Sequence, residues 1–196
     1  MALVFFLWVA ISPYQKVNWK KAKAWIILAV IVWYGVFDEW LQGKVGRNAD
    51  VMDIAADLSG GVAGLVVLSI FSFWPAALVV AAIFIFACSN LSRIIMLPHI
   101  NAWFHFAGYA AFTLIWIQYM YRYVKLAAEK LTQPRWILSA LAVPIALLLV
   151  VKLAGIPMGK KVWPMDCLTA LTAIGAATIT SYFTFLSLIE QSDCQD

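Results

Sequence analysis

Six polar residues in one short stretch of an otherwise apolar chain carry the chemistry: Asp38, Glu39, Gln42, Arg47, Asp53 and Asp57. Asp38 and Gln42 are four residues apart, as are Asp53 and Asp57, so on helices each pair shares a face. Carboxylates gathered in this way suit general acid/base work or a proton relay. Arg47 is the natural counter-charge, and its planar fork could equally hold a phosphate or carboxylate ligand. Asp38, Glu39 and Asp53 are therefore assigned catalytic roles, together with His105 further along. Gln42, Arg47, Asp57 and Tyr109 are assigned to ligand binding. An oxygen-only metal site is conceivable, but the motif contains no histidine; no metal and no cofactor is assigned. A plainer reading makes Asp50 and Asp53 helix caps beside a favourable dipole. One helix end needs only one or two caps, which leaves Asp38, Glu39 and Asp57 unexplained.

The elements that position these groups follow from composition. Of the 196 residues, 64% are hydrophobic and 12% charged, with mean hydropathy +0.88. Soluble domains average roughly 45–50% apolar and about 25% charged residues. The main solvent is therefore lipid, membrane lipids are the first partner, and the ten tryptophans suit the bilayer interfaces. The net charge of +4 is spread between apolar runs without a long basic block, so nucleic-acid binding is excluded. Cys88, Cys167 and Cys194 are too scattered for a disulfide framework.

A spanning helix needs about 20 apolar residues. The runs that qualify are Ala24–Leu41, Val51–Phe73, Pro75–Leu97, Ala102–Tyr121, Arg135–Ala154 and Trp163–Ile189. Ala2–Ser12 is about half a span. The expectation is an all-α, polytopic transmembrane helix bundle with six full spans and a short N-terminal one. Lys16, Lys20, Lys21 and Lys23 in one loop, and Arg122, Lys125, Lys130 and Arg135 in another, fall on the same side of seven alternating segments. That side is assigned to the cytoplasm, so the Arg47 loop faces outward. At 1.5 Å per residue Asp38 lies about 21 Å along its helix from Ala24, close to the outer edge of the hydrocarbon. Carboxylates at that depth are costly and should point inward, share protons or pair with Arg47 and Lys44. Gly60 and Gly64 form a small-xxx-small face for helix packing.

The chain also repeats itself in parallel. Ala2–Ala10 aligns with Ala110–Gln118, Trp25–Val30 with Trp136–Leu141, and Met52-Asp53 with Met165-Asp166. Residues 1–98 form repeat one and 99–196 repeat two, in the manner of duplicated transporters. Met1 aligns with Tyr109, so the duplication predicts residues upstream of Met1. Repeat two keeps Asp166 but has Lys152 near the position of the acidic pair and Ala170 opposite Asp57, which marks its acidic half as degenerate. His105 and Tyr109 would then complete the acids of repeat one in a composite site.

Asp38-Glu39-Trp-Leu-Gln42, Gly46-Arg47 and Asp53-xxx-Asp57-xx-Gly60-xxx-Gly64 resemble the signature of VanZ-like membrane proteins. Those carry Asp-Glu-x-x-Gln, a Gly-Arg turn and Asp-x-x-x-Asn-x-x-Gly-x-x-x-Gly. His105-Phe106-xx-Tyr109 is similar to the family's His-Phe-x-x-Tyr, which normally precedes the acids. Asp57 stands where the family has asparagine, and the order of the two motifs is inverted. The resemblance implies a multi-pass protein of the bacterial cytoplasmic membrane, acting in the cell envelope. The family's namesake is associated with resistance to the glycopeptide teicoplanin. Three functions stay open: an enzyme or factor modifying a lipid-linked or anionic envelope component, a small proton-coupled carrier, and a non-catalytic membrane scaffold.

Overall fold

The computed structural model describes residues 2–12, 14–45, 51–91, 98–123 and 134–193. Among these are seven α-helices and no strand: α1 (Ala2–Ile11), α2 (Ala22–Lys44), α3 (Val51–Ile70), α4 (Phe73–Phe86), α5 (Pro98–Tyr123), α6 (Pro134–Gly155) and α7 (Pro164–Asp193). Six apolar helical segments are long enough to cross a bilayer, one continuing α4 through the π-helical turn Ala87–Leu91, and Ala2–Ile11 is a shorter apolar helix. The chain is an integral, multi-pass helical membrane protein, as its hydropathy pattern predicts.

The helix boundaries follow from proline chemistry. α5, α6 and α7 each begin on a proline, where the missing N–H is an orphan in any case and the fixed φ suits a helix. The sequence reading broke the chain at Trp74-Pro75. Instead, α4 starts at Phe73, with Pro75 absorbed into its first turn for the same reason. Pro144 lies inside α6, a position tolerated in membrane helices because neighbouring groups satisfy the freed backbone. α7 runs four residues past the expected end at Ile189.

The chain divides into two compact units, residues 1–80 and 81–196. In the first, α1, α2 and α3 pack on one another around Val4, Trp8, Ile27, Ile31, Leu65 and Leu68. The α1–α2 connection is tied to the end of α3: the Val17 N–H donates to the Leu68 carbonyl at 3.0 Å, and Lys16 Nζ to that of Ile70 at 2.7 Å. A Cβ on Gly61 would lie 3.2 and 3.3 Å from Ile31 side-chain atoms. The close approach of α2 and α3 is therefore made at Gly61, one residue along from the predicted Gly60 face. On its outer surface α2 carries a stack of exposed rings, Trp33 on Phe37 at 5.3 Å and Phe37 on Trp40 at 5.8 Å, of the kind that anchors at a bilayer interface.

In the second unit α5 packs most extensively on α7, and α6 packs on both. Ala170, Ala173 and Ala177 of α7 are buried; small residues at this spacing let membrane helices approach closely. The π-helical turn joins α6 through buried Asn90, whose amide donates to the Val151 carbonyl at 3.0 Å. Gly155 makes room for it, since a Cβ there would fall 2.5 Å from Asn90 Oδ1.

Candidate functional site

Each unit places a polar cluster among its helices. In the first, Asp38 and Gln42 lie in the last two turns of α2, and Gln42 Nε2 donates to Asp38 Oδ2 at 2.7 Å. This realises the four-residue spacing directly, and both side chains are half-buried. Glu39 is turned inward and is 6% exposed.

Asp53 and Asp57 share the stripe of α3 that continues through Gly61 and Gly64 to Leu68. The inner part of this stripe is covered by α1 and α2; towards the start of α3 the cover runs out, and both acids are exposed. Asp57 faces α2 beside Gly35, where a Cβ would make ordinary contact with Asp57 Oδ2 at 3.7 Å. Asp57 thereby lines a half-open cleft of about 380 Å³ whose other walls are Leu3, Val4, Leu7, Val30, Ile31 and Tyr34. The expectation that the acids turn inward is met by Glu39 and, in part, by Asp38; Asp53 and Asp57 stay exposed. Lys44, expected beside them, sits over the Trp40 ring at 5.1 Å. Arg47, with Gly46, Asn48, Ala49 and Asp50, lies outside the described residues.

The second cluster gathers three helices. Asp166 opens α7 in its first turn and Lys152 closes α6 in its last, so each charge sits at the helix end whose dipole favours it. Their side chains meet at 3.4 Å, with 14% and 15% exposure. His105 of α5 is 2% exposed, and its Nε2 lies 3.5 Å from Asp166 Oδ2 and 3.4 Å from Lys152 Nζ. Asn101, one turn earlier on α5, donates to Asp166 Oδ1 at 2.8 Å. One turn later the fully buried Tyr109 ring stacks on His105 with centroids 6.1 Å apart. His105 Nδ1 and the Tyr109 hydroxyl are buried and make no hydrogen bond.

The structure thus brings together Asp38 with Gln42, and His105 with Tyr109. It adds Asn101, Lys152 and Asp166, which sequence reasoning did not choose as site residues. The signal for Lys152 was present but read in the other sense. A cation inside an apolar run calls for a partner acid, and Asp166, at the next helix start, was available. Among the described residues no three His, Cys, Asp or Glu side chains are grouped as metal ligands. Comparison with known protein families, with curated proteins and with solved structures gave no match to this chain.

Proposed function

We propose that the chain is a VanZ-like protein of the bacterial cytoplasmic membrane that binds a lipid-linked saccharide of the cell envelope through its first unit, and so alters glycopeptide susceptibility. The observation that carries this reading is the cleft between α1, α2 and α3. Its walls are leucine, valine and isoleucine, one tyrosine and a single carboxylate, that of Asp57. Such a lining suits an amphiphile: the hydrocarbon chain lies along the apolar walls, and sugar hydroxyls donate to Asp57. Ligand sites are commonly apolar clefts with a few placed polar groups. Asp38 and Gln42, half-buried and joined to each other, lie further along α2 in the same unit. Arg47 is the motif's cation for a phosphate, which its fork would hold in two parallel hydrogen bonds. The acid–Gln–Gly-Arg–Asp spacing supports the family reading.

The test is teicoplanin susceptibility of a bacterium expressing the chain, with its amount in the membrane monitored. Expression raises the inhibitory concentration, and D57N or D38N each removes most of that rise at equal expression. R47A does the same. If the wild-type chain leaves susceptibility unaltered, or if all three variants match the wild type, the proposal fails.

A further inference from the structure

We propose that His105, Lys152 and Asp166 form a proton-binding site embedded in the second unit, which takes up and releases one proton at His105 Nε2. This goes beyond the ligand-binding reading of the first unit and does not depend on it.

The argument starts from charge. Asp166 and Lys152 are opposite charges 3.4 Å apart at the ends of two apolar helices, so the pair is neutral, as charged side chains in membrane segments are when they pair with one another. His105 is the third member and can be neutral or cationic. Its Nε2 lies 3.5 Å from the carboxylate and 3.4 Å from the ammonium. The attraction and repulsion felt by a proton arriving there are therefore nearly equal, since Coulomb energy varies as the inverse of distance. The two charged neighbours largely offset each other, which leaves burial of the ring as the main electrostatic influence on the proton.

Hydrogen bonding gives the same result. A bare Nε2 accepts from the Lys152 ammonium, and a protonated Nε2 donates to the Asp166 carboxylate. Nε2 finds a partner in both states with the side chains where they stand, while Nδ1, which carries the hydrogen when Nε2 is bare, has none. Uptake of the proton moves the histidine's partnership from Lys152 to Asp166, and release reverses it; no other bond forms or breaks. Asn101 holds the second carboxylate oxygen at 2.8 Å and so fixes the acceptor. Among the described residues, the titratable groups around His105 are Lys152 from α6, Asp166 from α7 and Tyr109 from α5 itself. Cys167 of α7 acts electrostatically on Tyr109.

A second observation stands apart from the triad. His105 Nδ1 and the Tyr109 hydroxyl are polar, buried and without a hydrogen bond, though such groups are costly to leave unsatisfied in a low-dielectric interior. They continue a polar track along one face of α5, Asn101–His105–Tyr109–Thr113, at four-residue steps. The Thr113 hydroxyl is tied to the Tyr109 carbonyl at 2.7 Å, so the track's free polar atoms are those of His105 and Tyr109.

The experiment follows the His105 imidazole by NMR in the full chain, labelled at histidine nitrogen and held in detergent micelles, over a pH series. An H99Q background leaves His105 as the only labelled ring. The expected result is a reversible one-proton titration. D166N removes the attraction and weakens proton binding about tenfold or more, whereas K152Q removes the repulsion and strengthens it by a similar factor. K152R keeps the charge and leaves the affinity within about twofold. If D166N does not fold, the contrast between K152Q and K152R carries the test. A His105 that holds one protonation state wherever the protein is folded overturns the proposal. So does a K152Q variant that titrates as K152R does.

Discussion

In the second unit Asp166 is held between Lys152 and Asn101 and is largely shielded, whereas in the first Asp57 lies open along a cleft and Asp38 accepts from the Gln42 amide. Similarly placed acids near the ends of apolar helices thus meet two fates. Where a cation stands on a neighbouring helix, the charges neutralise each other and join helices; α5, α6 and α7 are all tied into that cluster. Where the acid lies at the open start of a helix, as Asp57 does, it stays exposed to solvent. The lesson is that an acid in a membrane helix is read by its partner. Charge in the second unit joins helices, and the exposed charge of Asp57 in the first joins none among the described residues.

The comparison can be broken most severely at Lys152. K152M strands the Asp166 carboxylate in a site only 14% exposed and is expected to destabilise the chain by about 3 kcal/mol, the lower end for a broken buried pair. The double variant K152M/D166L should recover much of that loss, because no buried charge remains unpaired. Thermal unfolding of the single and double variants checks both. A smaller effect is expected of G155A: its Cβ would meet Asn90 Oδ1 at 2.5 Å and dislodge the Asn90–Val151 bond, at a cost of about 1–2 kcal/mol. In the first unit, G61V presses on Ile31 across the α2–α3 contact and should cost about 1 kcal/mol, seen as a lower unfolding midpoint. The smallest effect belongs to D53N, an exposed acid whose loss should stay within about 0.5 kcal/mol. Were D53N to destabilise as K152M does, the contrast between the units would be gone.

How far the sequence disclosed this depends on the range of the interaction. The spans were legible because about 20 apolar residues in a row have few alternatives, and Pro98 and Pro134 marked breaks that prove to be helix starts. Trp74-Pro75 misled because proline both ends helices and opens them. The Asp38–Gln42 bond was legible because a four-residue spacing on one helix is local. The Lys152–Asp166 pair was not, since it crosses a turn between two helices whose relative rotation no local pattern fixes. Lys152 was accordingly read only as a departure from the acidic motif, and its pairing with Asp166 went unforeseen. The same uncertainty of helix phase moved the close approach on α3 from Gly60 to Gly61. It also left open how far Asp53 and Asp57 would be covered; the stripe was right, but its cover ends before it reaches them.

The most direct test of this division of labour is a side-by-side thermal unfolding of D166A and D57A in the same detergent. The account predicts that D166A lowers the midpoint by about 5 °C or more, while D57A stays within about 1 °C of the wild-type chain, given roughly 2–4 °C per kcal/mol for a chain of this size. Equal losses in the two variants, or a larger loss in D57A, would contradict it.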